Sequence, residues 1–268
     1  MRRLNSARGK TKARPPRPSL AGMALAGAVV LGASALPAPA VAEEYKIYTP
    51  LVVKGENELE MRGFYKRDNA RAVDGSQQYR LSVGRGITNN WAFEFYDIVS
   101  RDPGQGLRSR SLELENRFQL TPMGKYWANF GLLQGLEVPL ESGQPYALEL
   151  IPIIERQSGR GLAAANISFE RQFGENRETG TIFSYRVRLE YLLYRPFSPA
   201  LEFHGEPGPI GRFKDMPAQR HQAGPAFYGV GYFNNGRTFY YSSAVLFGLT
   251  RDSPDVTVAF RFEYEFFD

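Results

Sequence analysis

From Val256 to Phe266 every second residue is apolar or aromatic: Val256, Val258, Phe260, Phe262, Tyr264 and Phe266. The residues between them, Thr257, Ala259, Arg261, Glu263 and Glu265, are small or charged. Side chains alternate across a strand with period two, so this stretch has one greasy face and one ionised face. Two architectures accept such a strand. In a soluble sheet the apolar face packs on a core. In a transmembrane barrel it meets lipid, and the charged face lines the lumen.

The same alternation recurs from residue 56 onward, with no amphipathic helix between. Glu56 to Lys66 sets Leu59, Met61 and Tyr65 against Glu58, Glu60 and Arg62. Gln77 to Gly84 sets Tyr79, Leu81 and Val83 against Arg80 and Ser82, and Trp91 to Val99 sets Phe93 and Phe95 against Glu94 and Tyr96. Further segments follow around Leu112–Leu120, Tyr126–Val138, Tyr146–Glu155, Ala163–Phe173, Thr181–Tyr194, Ala200–Glu206, Ala223–Tyr232 and Thr238–Gly248. In the sixth, Leu148, Leu150, Pro152 and Ile154 oppose Glu149 and Glu155, with Pro152 removing one ladder donor. Asn234-Asn235-Gly236 marks a hairpin between the last two of these. With the final strand, this makes about twelve strands of about ten residues, the length a tilted strand needs to cross a bilayer.

Composition narrows the function classes. The 268 residues include no cysteine, which excludes a disulfide framework and thiolate metal sites. Mean hydropathy is −0.37, and no apolar run beyond the N-terminal segment is long enough for a spanning helix. The net charge of +5 is confined to the start. Residues 1–42 hold seven Lys and Arg and no acid, leaving the rest of the chain at −2. The basicity is therefore not the footprint of a nucleic-acid binder. Those 42 residues read as a basic n-region, an apolar run from Leu20 to Leu36, and a small-residue exit at Ala40-Val41-Ala42. They form a cleavable secretory signal peptide.

The expected fold is all-β: a single antiparallel up-and-down transmembrane β-barrel of about twelve strands, preceded by a cleaved signal peptide. Residues 1–42 are the leader, 43–55 a periplasmic N-terminal extension, and 56–268 the barrel. A secreted soluble β protein would show the same period. Two features favour the membrane. Trp91, Tyr126, Tyr146, Tyr185, Tyr191 and Tyr264 sit toward the ends of apolar faces, as interfacial girdles do. The opposite faces are densely ionic with both signs interspersed. With Glu43 starting in the periplasm, the periplasmic turns fall near 86–90, 121–125, 156–161, 195–199 and 234–236. The outer connections are longer and more charged, as outer-membrane barrels prefer. The longest of them, 207–222, carries Lys and Arg that could meet lipopolysaccharide phosphates.

The final strand also resembles the C-terminal recognition strand of Gram-negative outer-membrane proteins, which the barrel-assembly machinery reads. It departs in ending on Phe267-Asp268 rather than on an aromatic. Leu112-Glu113-Leu114-Glu115-Asn116-Arg117-Phe118-Gln119-Leu120-Thr121 with Tyr126-Trp127, Arg220-His221-Gln222-Ala223-Gly224-Pro225, and Leu246-Phe247-Gly248-Leu249-Thr250 resemble a widespread group of outer-membrane transport proteins. That group is loosely linked to the phenol-degradation-pathway (MetA-pathway) outer-membrane family. The resemblance implies a Gram-negative outer-membrane barrel and a transport role of unspecified substrate.

The inward residues expected to line the lumen are Glu58, Glu60, Arg62, Arg80, Glu94, Glu113, Glu115, Arg117, Glu149, Glu170, Arg186, Arg188, Glu190, Glu202, His204, Glu206, Arg261 and Glu263. Such acidic and basic ladders either make a transverse field that selects small polar solutes or pair into a plug that closes a narrow barrel. Catalysis finds little support. The only histidines are His204 and a loop residue, His221, and nothing in the spacing brings Ser109 or Ser111 to either. Glu202, His204 and Glu206 share one face, which reads as ordinary lumen wall rather than a metal site. The expected function is therefore non-enzymatic, with no cofactor: a narrow passive channel or transport accessory for a small solute. The alternatives are a closed structural or interaction barrel forming the membrane part of a larger complex, and a lipid-modifying barrel enzyme.

Overall fold

A computed structural model describes residues 45–69, 73–233 and 236–267. The signal-peptide reading of 1–42 lies outside them. Twelve strands follow in order: β1 (Glu56–Arg67), β2 (Gln77–Gly86), β3 (Trp91–Arg101), β4 (Arg108–Gln119), β5 (Asn129–Pro139), β6 (Tyr146–Ser158), β7 (Gly161–Phe173), β8 (Thr181–Tyr191), β9 (Ser198–Pro209), β10 (Arg220–Tyr232), β11 (Thr238–Gly248) and β12 (Val256–Phe267). A 3-10 turn, Met216–Ala218, lies between β9 and β10. Each strand pairs antiparallel with its sequence neighbours, and β12 returns to β1 to close the barrel. The closing seam runs from Glu56 opposite Phe267 to Arg67 opposite Val256. Closure leaves no edge strand, so each strand finds backbone partners on both sides.

The orientation of the faces decides between the two architectures. Phe262 is 44% exposed and Leu81 46%, whereas Glu113, Glu263 and Arg80 are each 4% exposed. The apolar stripes point out of the barrel and the charges point in, the reverse of a soluble β protein. Exposed aromatics collect toward the strand ends: Tyr126, Trp127, Tyr191 and Tyr194 at the end where β1 begins (the lower end), Tyr146 and Phe173 at the other. One acid breaks the outer pattern. Asp97, near the upper end of β3, faces outward and accepts a hydrogen bond from Ser109 Oγ across a register shift at Ile98/Val99.

Three local readings need correction. β5 starts at Asn129, not Tyr126, so Tyr126 and Trp127 belong to the lower rim. His221 is not in a loop but is the second residue of β10, since pairing with β9 extends to Arg220 opposite Glu206. The sixth strand keeps the predicted outward face, but its inward face is not all polar: Ile151 and Ile153 share it with Glu149 and Glu155, and both are fully buried. Pro152 is tolerated because the β6–β7 ladder skips Ile151 and Pro152 and resumes at Ile153 opposite Asn166.

Candidate functional site

The lumen holds a segment of the chain itself. Residues 45–53, which fall within the expected N-terminal extension 43–55, climb inside the barrel from the lower mouth without joining the sheet. At the lower end, Val52 N–H donates to Gln119 Oε1 at 3.0 Å. A Cβ on Gly86 would lie 1.9 Å from the Val53 carbonyl oxygen, and one on Gly131 would lie 2.9 Å from Pro50 Cβ. Only glycine at these two wall positions leaves room for the passing backbone. At the upper end, the Tyr45 hydroxyl donates to Gln222 Oε1 at 2.9 Å, and its ring packs on Phe64 and His204.

Tyr48 closes the middle. Its side chain reaches one wall, where the hydroxyl donates to Glu115 Oε1 at 2.6 Å and accepts from Arg62 Nη2 at 3.2 Å. Its backbone is clasped by the opposite wall: Tyr48 N–H donates to Asn166 Oδ1 at 2.6 Å, and Asn166 Nδ2 donates to the Tyr48 carbonyl at 3.0 Å. Arg62 stands on β1 and Asn166 on β7, six strands apart in a ring of twelve, so this one residue spans the lumen. Its ring also packs with Leu133, Ile151 and Ile153 in an apolar patch on the inner wall. Burial of these side chains and satisfaction of a buried backbone pair both favour the seated segment.

Lys46 sits beside this bridge and is 5% exposed. Its Nζ lies 2.9 Å from Glu60 Oε2, 3.5 Å from Glu94 Oε2 and 3.8 Å from Glu58 Oε1. It also donates to the Tyr96 hydroxyl at 3.2 Å and stands 4.8 Å from the Tyr48 ring centroid. The carboxylates are shared with guanidiniums. Arg117 reaches Glu58 and Glu94, each at 3.3 Å; Arg261 bonds Glu60 at 2.6 Å and also Glu263; Arg62 bonds Glu60 and lies 3.4 Å from Glu115. Charges this far from water persist only when paired, and this network pairs them.

All eighteen residues expected on the lumen face point away from the outer surface. Glu58, Glu60, Arg62, Arg80, Glu94, Glu113, Glu115, Arg186, Arg188, Glu202, His204 and Glu263 are buried; Arg117, Glu149, Glu170, Glu190, Glu206 and Arg261 are half-buried. They do not form separate acidic and basic walls. Arg80 pairs with Glu113, Arg186 with Glu149, Arg188 with Glu190, and Arg220 with Glu206. Glu170 accepts from Gln172, and Glu202 meets both His204 Nε2 at 2.8 Å and the Tyr228 hydroxyl at 2.5 Å. The trio of Glu202, His204 and Glu206 is thus split, Glu206 turning to Arg220. The serines considered as nucleophiles bond carboxylates instead, Ser109 to Asp97 and Ser111 to Glu137. His221 faces Tyr185 and Gln219.

Below the Tyr48 bridge lies a cavity of about 590 Å³ that includes Leu51 and Val53 of the segment, Arg117, Arg188, Glu190, Tyr228, Tyr240 and Glu265 in its lining. That is the size range of small-molecule sites. Above the bridge the spaces beside Tyr45 are far smaller, about 40 and 80 Å³. The lumen is therefore a lower vestibule and two upper niches with the chain's own segment between them.

Sequence reasoning did not assign Tyr45, Lys46, Tyr48 or Asn166 to the site. Two residues left a signal: Tyr96, an aromatic on the ionised face of its strand beside Glu94, and Asn166, which falls on the polar face opposite Ile167 and Phe169. No protein-family profile matches the chain, and no curated protein sequence matches it. Solved structures of similar fold include the NanC porin in a rhombohedral crystal form (TM-score 0.49, 12% identity, 78% of this chain and 99% of that one). Others are the KdgM porin (TM-score 0.46, 7% identity, 78% and 98%) and a bacterial polysaccharide outer membrane secretin (TM-score 0.41, 10% identity, 81% and 99%).

Proposed function

We propose that this protein is a non-enzymatic Gram-negative outer-membrane barrel that admits a small polar solute through a lumen held shut by residues 45–53 until they are displaced. The outward apolar faces and aromatic rims fit a bilayer. In this reading residues 1–42 are a leader removed on export, the lower end faces the periplasm, β12 is presented to the barrel-assembly machinery, and the basic 210–219 connection meets lipopolysaccharide. The eighteen inward residues line the path. The resemblance to outer-membrane transport proteins, carried by the stretches around Leu112, Arg220 and Leu246, points the same way.

One observation carries the proposal: the closing element is a segment outside the sheet, held by side-chain contacts, next to a vestibule large enough for a solute. Its withdrawal would break no ladder. The depth of Tyr48, 1% exposed, favours a second reading, a permanently closed barrel that serves a larger assembly. Planar-bilayer recording separates the two. The proposal expects sparse openings in the mature protein and frequent steps in Asn166→Ala, whose segment has lost its clasp. A folded, inserted Asn166→Ala barrel that never conducts removes the channel and leaves the closed barrel.

A further inference from the structure

We infer that the cage around Lys46 is a binding site for a small primary alkylammonium ion, which the chain's own lysine occupies as a tethered stand-in. The identification of that ion as the solute rests on the channel reading; the site does not. An ammonium has three donors and no acceptor. Here three carboxylates and a phenol oxygen converge on it: Glu60, Glu94, Glu58 and Tyr96. The ring faces of Tyr48 at 4.8 Å and Tyr96 at 5.8 Å flank the same nitrogen, the arrangement aromatic groups use for desolvated cations.

The cage holds more acceptor capacity than the protein uses. Glu58, Glu60 and Glu263 bring carboxylate oxygens within 4.8 Å of one another. Glu58 is 7% exposed, and its Oε1, the atom facing Lys46 at 3.8 Å, has no hydrogen-bond partner among the described residues. The segment that delivers Lys46 belongs to no strand, so the occupant is removable while the walls stay paired in the sheet. Once it leaves, Glu58, Glu60, Glu94, Glu115 and Glu263 keep their ion pairs with three guanidiniums, Arg62, Arg117 and Arg261, and lose the ammonium. That excess of carboxylate selects a cation. The vacated space was shaped by an unbranched alkyl stem ending in –NH₃⁺, a compact charge unlike the planar guanidinium fork.

Lys46→Ala in the full mature protein empties the cage without removing the segment. Thermal unfolding in detergent is followed with n-butylammonium chloride, tetrabutylammonium chloride or NaCl at equal ionic strength. The inference expects a lowered midpoint for Lys46→Ala and a saturable recovery with n-butylammonium alone. Adding Glu60→Gln should abolish that recovery. Absence of a saturable, n-butylammonium-specific recovery overturns the site. If Lys46→Ala does not fold, the wild type carries the test: n-butylammonium should compete with Lys46 and speed chymotrypsin cleavage after Tyr48 severalfold over tetrabutylammonium. Equal cleavage rates overturn it. Both readouts report binding without conductance, so a silent barrel that still binds n-butylammonium refutes the channel alone.

Discussion

Replacing Asn166 by alanine removes the two hydrogen bonds that tie the Tyr48 backbone to β7, at 2.6 and 3.0 Å. Asn166 is fully buried, so Tyr48 N–H and C=O lose these two hydrogen bonds away from bulk water. A buried group stripped of its partner costs about 1–3 kcal/mol, so the two together cost about 2–6 kcal/mol. Even the lower figure corresponds to about a 30-fold shift toward the released segment. The backbone ladder of Asn166 with Ile153 and Arg186 is untouched, so the barrel itself should persist. The assay is native-state chymotrypsin cleavage after Tyr48 in detergent, with the gel-mobility difference between folded and heated barrel as the control for folding. Ser168→Ala serves as the matched variant: it lies two residues along the same inward face and bonds Glu149 rather than the segment. Cleavage should accelerate at least tenfold in Asn166→Ala and remain at the wild-type rate in Ser168→Ala. Equal rates in Asn166→Ala and wild type, with the barrel folded, would refute the clasp.

Gly86→Ala places a methyl against the Val53 carbonyl, so it should loosen the same segment while leaving β2 paired; the cleavage assay checks this. Arg80→Met strands Glu113 in the lumen and should cost about 3–5 kcal/mol of stability, whereas Arg80→Met with Glu113→Leu should recover most of it; denaturant unfolding in detergent measures both. Phe262→Arg sets a charge in the middle of the outward face of β12 and should cost about 2–4 kcal/mol on folding into lipid vesicles, where a soluble protein would gain solvation. Intact mass of the protein recovered from outer membranes should begin near Glu43; retention of residues 1–42 would remove the leader.

The barrel was legible because its two faces obey one rule over twelve strands. Leu59, Leu81, Phe262 and their neighbours point outward at period two, and the acids and bases between them point inward, as the alternation in the sequence predicts. Strand bounds shifted by a few residues where pairing continued past the end of the pattern, as at Arg220, or stopped short of it, as at Tyr126. The lumen was less legible. Ile151 and Ile153 lie on a face marked by Glu149 and Glu155, and their partner is Tyr48, about a hundred residues away in sequence. The plugging segment, Tyr45-Lys46-Ile47-Tyr48-Thr49-Pro50-Leu51-Val52-Val53, has no period because each side chain meets a different part of a ring. Its side-chain hydrogen bonds to the wall span 14 to 177 residues of sequence and reach several different strands, which no local period encodes. The choice between a transverse field and a paired plug likewise depended on partners two or three strands apart, such as Arg80 with Glu113 and Arg62 with Glu115.

The central claim, that a lipid-facing barrel is closed by its own N-terminal segment, is tested most directly by labelling a single cysteine at position 47 in the otherwise cysteine-free protein. Ile47 is 4% exposed and lies between Lys46 and Tyr48. In membrane-inserted protein, Ile47→Cys should react with a charged maleimide orders of magnitude more slowly than a cysteine placed at the exposed rim residue Leu120, and Asn166→Ala should raise the rate. A rate at position 47 equal to that of the rim residue, with the barrel intact, would place the segment outside the lumen and contradict the account.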